Sequence, residues 1–332
     1  MTEPAPTTAL SRLLNFVSRQ PLTVARFFAK SLAFLVNTLR LSKTSQTIQL
    51  NLQIALPELS SQQRQQITQQ AIRNELTSYF EFFHIWGSSN QKNIQRIHQV
   101  HGLELLQNAL AAQKGLVLIV PHFGTWEIMN TWIAQYTQMT IMYKPVKNPA
   151  ADDFVRQARS REQAHLVPTD ESGVRQIFKA LKQGGTTVIL PDHTPNVGGE
   201  MIPFFGIPLE SSNLSAKLIQ KTKAKALFLY ALRNTDQGFD MYIEAIDEHI
   251  YQCDANAGTA IIHNAIENLI RRYPAHYHWS YKRYKAHPDL RGVYHKPVQE
   301  ALADVQAIRT QVHNVHNLAN AATTTSAADT AV

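Results

Sequence analysis

Among 332 residues there is one cysteine, Cys253. This excludes an intramolecular disulfide and any cysteine-ligated zinc site, and makes a reducing compartment the default setting. Nowhere do about 18 uncharged apolar residues run together, so a membrane-spanning helix is not expected. No signal-peptide cleavage pattern is evident. Also missing are a Gly-x-Ser-x-Gly elbow, a Gly-x-x-x-x-Gly-Lys-Ser/Thr phosphate loop, a dinucleotide fingerprint after a strand and a His-Glu-x-x-His pair. The 14 histidines are scattered without metal-ligand pairing and call for no metal. No Gly/Ser/Pro linker divides the chain and no repeat recurs, which favours one large α/β domain over two smaller ones. Acidic residues are outnumbered, 25 against 32 basic, and the net charge of +7 suggests an anionic partner: nucleic acid, a membrane surface or a phosphorylated substrate.

What is present centres on Leu116-Val-Leu-Ile-Val-Pro-His-Phe-Gly-Thr-Trp-Glu127. Five apolar residues between Lys114-Gly115 and Pro121 predict a buried parallel strand. His122 follows just past its carboxyl end, where open α/β sheets place reacting groups. A helix is expected next, with Thr125 as N-cap and Glu127 in its first turn. On one straight helix a spacing of five would rotate the two side chains roughly 140° apart, at about 100° per residue. With His122 on the turn, Glu127 can instead reach one imidazole nitrogen and leave the other free to take a proton from a hydroxyl. A core histidine beside a surface glutamate fits the same letters.

The pattern elsewhere is of alternating strands and helices. Leu10 to Leu41 predicts a helical segment with Phe27, Phe28, Leu32, Leu35 and Leu39 on one face and Arg26, Lys30 and Arg40 alongside. That describes a helix lying in a membrane interface, or one packed on its own domain. Asn51 to Trp86 reads as helix broken at Leu56-Pro-Glu-Leu-Ser, with Ser60 or Ser61 restarting it and an aromatic cluster, Tyr79 to Trp86, assigned to the core or to the wall of a lipid groove. Leu103 to Ala112 is a further helix, Met139 to Tyr143 a second strand, Asp152 to Arg161 a helix carrying Arg156, Arg159 and Arg161, and Val174 to Leu181 another helix. Thr186-Thr-Val-Ile-Leu190 repeats the buried strand and ends in Pro191-Asp192-His193. In a parallel sheet the two strand ends share an edge, so His122 and Asp192 are expected in one cleft. Asn196 to Gly206 is read as a loop whose Phe204-Phe205 pair forms an internal wall; a helix to Lys221, a strand pair around Asp236-Gln-Gly and a helix from Thr259 to Arg271 follow. Tyr277 to Lys285 interleaves aromatic and basic residues, fitting phosphate or headgroup contact, or a strand with a solvated cationic face. The divisions expected are a helical membrane-associating segment at 1–44, the α/β domain at 45–297, a helix at 298–317 and a disordered Ala/Thr tail at 318–332.

Taken together, several blocks resemble one family. His122-x4-Glu127 is similar to the first block of the lysophospholipid and glycerolipid acyltransferase superfamily. Asn51-Leu with Leu56-Pro-Glu-Leu-Ser60, Tyr143-Lys-Pro with Lys147-Asn-Pro, Arg156-Gln-Ala-Arg159, Leu181-Lys-x-Gly184 through Pro191-Asp192-His193, Ile202-Pro-Phe-Phe-Gly206 and Tyr277-His-Trp-Ser-Tyr-Lys-Arg-Tyr-Lys285 resemble its branch of late (secondary) acyltransferases of lipid A biosynthesis. The resemblance implies an α/β fold and catalytic roles for His122 as base, Glu127 as its orienting acid, Arg159 and Asp192. Lys144, Arg156, Phe204 and Phe205 are expected to bind substrate, with Arg156 the alternative to Arg159 one turn away. Lys144 stands where the family often has arginine, and the Phe-Pro-Glu-Gly-Thr-Arg block of glycerolipid relatives is missing, which argues against glycerol 3-phosphate as acceptor.

The activity so implied is direct transfer from acyl-acyl carrier protein to the hydroxyl of a 3-hydroxyacyl chain on a lipid A precursor. It requires no metal or cofactor, and the acidic partners are the carrier protein, the glycolipid phosphates and anionic lipid rather than nucleic acid. A monomer on the cytoplasmic face of the inner membrane is expected. The rivals are another glycolipid acceptor, such as a phosphoinositol mannoside, and a non-catalytic basic protein of membranes or nucleic acid.

Overall fold

The structure, a computed structural model, describes residues 9–39, 43–195, 198–234 and 238–329. Four helices come first: α1 (Ala9–Arg19), α2 (Leu22–Leu39), α3 (Lys43–Ala55) and α4 (Ser61–Gly87). Gln20-Pro21 separates the first two because proline supplies no N–H to continue a helix. Ser60 starts α4 with a reciprocal capping box: its hydroxyl accepts from the Gln63 N–H while the Gln63 side chain accepts from the Ser60 N–H. A short α5 (Asn90–Ile94) then leads to β1 (Ile97–His101), α6 (Leu103–Ala111), β2 (Leu116–Ile119), α7 (Glu127–Ile133), β3 (Thr140–Met142), α8 (Pro149–Arg161), β4 (His165–Val167), α9 (Glu171–Lys182) and β5 (Thr186–Ile189). The chain finishes through β6 (Glu200–Phe204), β7 (Ile207–Ser211), α10 (Leu214–Thr222), β8 (Lys225–Arg233), β9 (Phe239–Ala245), α11 (Ala255–Arg272), several 3-10 turns and α12 (Val298–Asp329).

The central sheet has the order β1-β9-β8-β2-β5 and is parallel except where β8 meets β9. A mostly parallel sheet flanked by helices is therefore the architecture, as the alternating pattern predicts. Strand periodicity divides β2 between two cores. Val117 and Ile119 pack on the face covered by α3, α11 and α12, while Leu116, Leu118 and Val120 pack with α6 and α7. Both faces are dry, which is why the strand reads as an unbroken apolar run.

Register positions the site. β2 pairs in parallel with β5 through Leu116↔Thr186 to Ile119↔Ile189. His122 and Asp192 each lie three residues beyond the last paired residue of their strand, and so emerge side by side.

Several local expectations are corrected. Thr125 does not cap α7; the N-cap is Trp126 without a side-chain cap, and the Thr125 hydroxyl donates to buried Glu81 instead. The stretch read as a loop up to Gly206 contains the β6–β7 hairpin, turned by Phe205 and Gly206 at φ +50° and +73°, the signature of a primed turn that matches strand twist. Tyr277 to Lys285 forms no strand: Tyr277, Trp279, Arg283 and Tyr284 are buried, and Arg283 donates to the Glu210 carbonyl at 2.9 Å. Asn51 holds this run, its amide donating to the carbonyls of Trp279 and Tyr281 at 2.7 and 2.9 Å. The terminal helix continues past Leu318 to Asp329 where composition predicted an irregular tail. Arg40, Asn196 and the Asp236-Gln237 part of the expected turn lie outside the described residues.

Candidate active site

The strand-to-helix turn after β2 is shaped by Gly124. Its φ is +55°, and a Cβ there would sit 2.6 Å from the carbonyl oxygen of Ala231 on β8. Only glycine meets both conditions without displacing the strand. The turn is tied down from outside: Gly124 N–H donates to His276 O at 2.8 Å, and Ser78 Oγ donates to Gly124 O at 2.9 Å.

His122 is held by Asp192. Its Nδ1 lies 2.8 Å from Asp192 Oδ1, and its backbone N–H is 3.2 Å from both carboxylate oxygens. Burial pushes Asp192 toward its neutral form, but the charge of His122 and these hydrogen bonds outweigh burial and hold the carboxyl well below its usual range. With Nδ1 engaged, Nε2 is the nitrogen left to exchange a proton. The imidazole also stacks on His193, centroids 3.6 Å apart with parallel planes, and His193 stacks in turn on Tyr281 at 3.7 Å. Burial depresses His193 to about 3, with His122 adding to the effect against the pull of Asp192. His193 therefore remains neutral beside His122.

The expected His122–Glu127 contact is thus replaced. Glu127 Oε2 accepts from Arg159 Nη2 at 2.6 Å and from Trp86 Nε1 at 2.8 Å. Arg159 spans two carboxylates, its Nη1 donating to Glu162 Oε2 at 3.1 Å, and Glu162 also accepts from Thr131 Oγ1 at 3.0 Å. Burial disfavours the guanidinium charge, yet Glu127 and Glu162 more than offset it and hold Arg159 protonated. A fork with two donor edges suits this bridging position in a way a single ammonium does not. Arg159 is buried, whereas the Arg156 side chain is half exposed beside Asp152 and over the Tyr143 ring. Of the two arginines, Arg159 is the one in the cleft.

Next to this ion pair is an apolar slot of about 100 Å³, lined by Val120, Trp126, Met129, Ile141, Val188 and Leu190 with Glu127 and Arg159 on its wall. Lys144 is exposed on the stretch after β3. Phe204 and Phe205 are buried in the hairpin core, against His263 and under the Arg283 and Arg271 guanidiniums, which corrects the expectation that they line the substrate site and agrees with their reading as an internal wall.

His122, Asp192 and His193 offer ligand atoms within 4.8 Å of one another. Two imidazoles stacked in parallel planes have lone pairs that run side by side, so they cannot converge on an ion at about 2.1 Å. Asp192 already occupies one of them. The arrangement suits proton exchange better than metal binding.

Sequence reasoning missed Glu81, Trp86, Glu162, His193 and His278 as members of this region, the last with its ring 6.2 Å from that of His122 and 5.8 Å from that of His193. Glu81 is fully buried and joins Arg26, Arg233 and Thr125. A solitary glutamate in a helix carries no signal of such a role. Trp86 was legible only as an apolar residue, since nothing local reveals where an indole N–H points.

A model of the bacterial lipid A biosynthesis acyltransferases matches residues 9–286. The chain belongs to this family. Its curated relatives include a lipid A biosynthesis acyltransferase of Haemophilus influenzae, 25% identical over 274 residues that cover 81% of this chain and 86% of the relative. The lipid A biosynthesis palmitoleoyltransferase of Escherichia coli K12 is 24% identical over 241 residues, 72% and 78% of the two chains. A phosphatidylinositol mannoside acyltransferase of Mycobacterium tuberculosis is 24% identical over 204 residues, covering 60% and 64%. The chain is an acyltransferase of lipid A biosynthesis, and the family match spans α1 and α2 as well as the sheet.

Proposed function

We propose that this acyltransferase moves a fatty acyl group from acyl-acyl carrier protein to the hydroxyl of a 3-hydroxyacyl chain on a lipid A precursor, with His122 as general base. The observation that carries the base assignment is the 2.8 Å contact from His122 Nδ1 to buried Asp192 at the end of β2. His122 Nε2 takes the hydroxyl proton, Asp192 stabilises the imidazolium, and the alkoxide attacks the thioester carbonyl. The thiolate of the carrier leaves and is protonated from the imidazolium. Glu127 and Arg159 form a buried ion pair on the wall of the apolar slot. The slot receives part of an acyl chain; each buried methylene contributes about 0.8 kcal/mol.

Membrane access fits the first two helices. Phe16, Phe27, Phe34 and Leu35 are each more than half exposed, with Leu13 and Phe28 beside them. No single helix among the described residues is long and apolar enough to span a bilayer, and we assign this face to the cytoplasmic leaflet of the inner membrane. The chain acts there as a monomer without cofactor. Arg26 is not on the exposed face beside Phe27 and Phe28: it is buried and donates through Nε to Glu81 at 2.6 Å.

The test is incubation of purified protein with acyl-carrier thioesters of graded length and under-acylated precursor. The expected result is a mass gain of one acyl chain, ester-linked to a hydroxyacyl group. Turnover confined to a mannoside acceptor would instead support the second glycolipid reading that the mycobacterial relative suggests.

A further inference from the structure

A second cavity shares wall residues Arg233 and His276 with the contacts of the catalytic turn. It has a volume of about 550 Å³, opens between α2, α4 and the end of β8, and is walled by Arg26, Lys30, Arg73, Asn74, Thr77 and Arg233. Four of these six are cations, and no carboxylate lines the pocket among the described residues. The nearest acid, Glu81, is fully buried and already shared by Arg26 Nε at 2.6 Å and Arg233 Nε at 2.8 Å. One negative charge therefore faces four positive ones. Arg26 is buried, yet its Nη2 has no hydrogen-bond partner. An unsatisfied guanidinium edge in a buried position costs free energy unless an acceptor arrives. Arg73 and Lys30 are exposed at the rim and engaged by no carboxylate in the described structure.

We propose that this pocket is an anion subsite that takes a phosphate group of the acceptor glycolipid. The Arg26 and Arg73 guanidiniums offer N–H donors that match phosphate oxygens, while Arg233, Asn74 and Thr77 line the pocket with their donors already held by Glu81, Ala275 O and Arg73 O. The rim belongs to α2, whose exposed apolar residues follow directly, so a phosphate at a lipid surface meets the cations first. The wall is shared with the catalytic turn: Arg233 Nη2 donates to Thr125 Oγ1 at 2.9 Å, and His276, which also lines the pocket, accepts from Gly124. A phosphate seated here fixes the headgroup while the hydroxyacyl chain reaches His122. This rests on the reading that the acceptor is a phosphorylated glycolipid.

The variant Lys30→Gln/Arg73→Gln tests it, because both residues are exposed and leave the Arg26–Glu81–Arg233 cluster intact; melting within a few degrees of wild type confirms that the fold is kept. Binding is measured first with glucosamine 1-phosphate, glucosamine and inorganic phosphate as probes on the full chain. Wild type should bind the sugar phosphate at least about tenfold more tightly than glucosamine, and the variant should lose that difference, given two charge-assisted contacts. Transfer is then compared with phosphorylated and enzymatically dephosphorylated precursor: the preference in KM for the phosphorylated acceptor should vanish in the variant. No binding of the sugar phosphate by wild type, equal affinity for inorganic phosphate, or a variant that keeps the acceptor preference overturns the proposal. So does a rise in KM for the acyl-carrier thioester alone, which would assign the pocket to the donor. Failure of transfer by wild type with sugar-phosphate binding retained would count against the proposed reaction and leave the subsite standing.

Discussion

At the scale of single residues, the site is two carboxylate-anchored groups with different duties. Asp192 serves the histidine, and Glu127 serves an arginine. Arg159→Lys removes one of two donor edges, leaving either Glu127 or Glu162 buried without its cation. Breaking a buried pair in this way costs about 3–5 kcal/mol, so the lysine variant should lose most activity and melt well below wild type; near-normal melting and turnover would remove Arg159 from the site. Glu127→Ala is expected to destabilise as well, since it strips Arg159 and the Trp86 N–H of an acceptor, and a calorimetric scan checks this directly. Gly124→Ala combines a left-handed φ with a 2.6 Å approach to Ala231 O. A loss of about 2 kcal/mol or more is expected on the scale of strained backbone positions, measured by denaturant unfolding.

At the scale of elements, the slot between β2, β5 and α7 should sort acyl chains. Val188→Phe fills part of it, and the preferred donor should shorten by about two carbons, with roughly a tenfold change in the ratio of kcat/KM values; competition between two thioesters reads this out. An unchanged preference would place the chain elsewhere. α2 carries its own prediction. Phe28→Ser/Phe34→Ser should reduce binding to anionic vesicles while leaving the melting temperature unchanged, because both rings are exposed. Deleting the helix is a poorer experiment, since it also removes Arg26 from buried Glu81. The strands were legible because β2 and β5 are short apolar runs that end in chemistry-bearing residues, and their parallel pairing alone brings His122 to Asp192. The partner of the histidine was misassigned for a physical reason: proximity in sequence pointed to Glu127, whereas strand register, a long-range property, supplied Asp192. The hairpin at Phe205-Gly206 was hidden because a non-glycine residue occupies a left-handed turn position.

At the scale of the whole molecule, buried neutral histidines govern the response to acid. Burial is the leading cause that depresses His84, His263, His276 and His278 to about 4 and His193 to about 3. In the unfolded chain these groups bind protons near 6.5, so between that value and about 4 the unfolded state holds more protons than the native one, and stability rises with pH. Their contribution is fully present above 6.5 and is lost as pH falls toward 4. Glu75 runs the other way, raised by burial to about 7 against its hydrogen bond from Ser280, so its contribution is lost as pH rises from 4.5 to 7. Glu162 and Glu267 are raised by burial in the same sense, and five imidazoles against these three carboxyls predict a net fall in melting temperature on acidification from pH 7 to 5, which a series of thermal scans checks. The account as a whole stands on His122 acting as a base oriented by Asp192, and the rate of acyl transfer to a hydroxyacylated precursor by Asp192→Asn tests it most directly. An asparagine keeps the size of the side chain but not its charge, and the corresponding change in a serine-protease triad costs about 10⁴ in kcat. A loss of at least 10³, in protein that melts cooperatively and remains folded at the assay temperature, is the result predicted here; transfer within tenfold of wild type would contradict it.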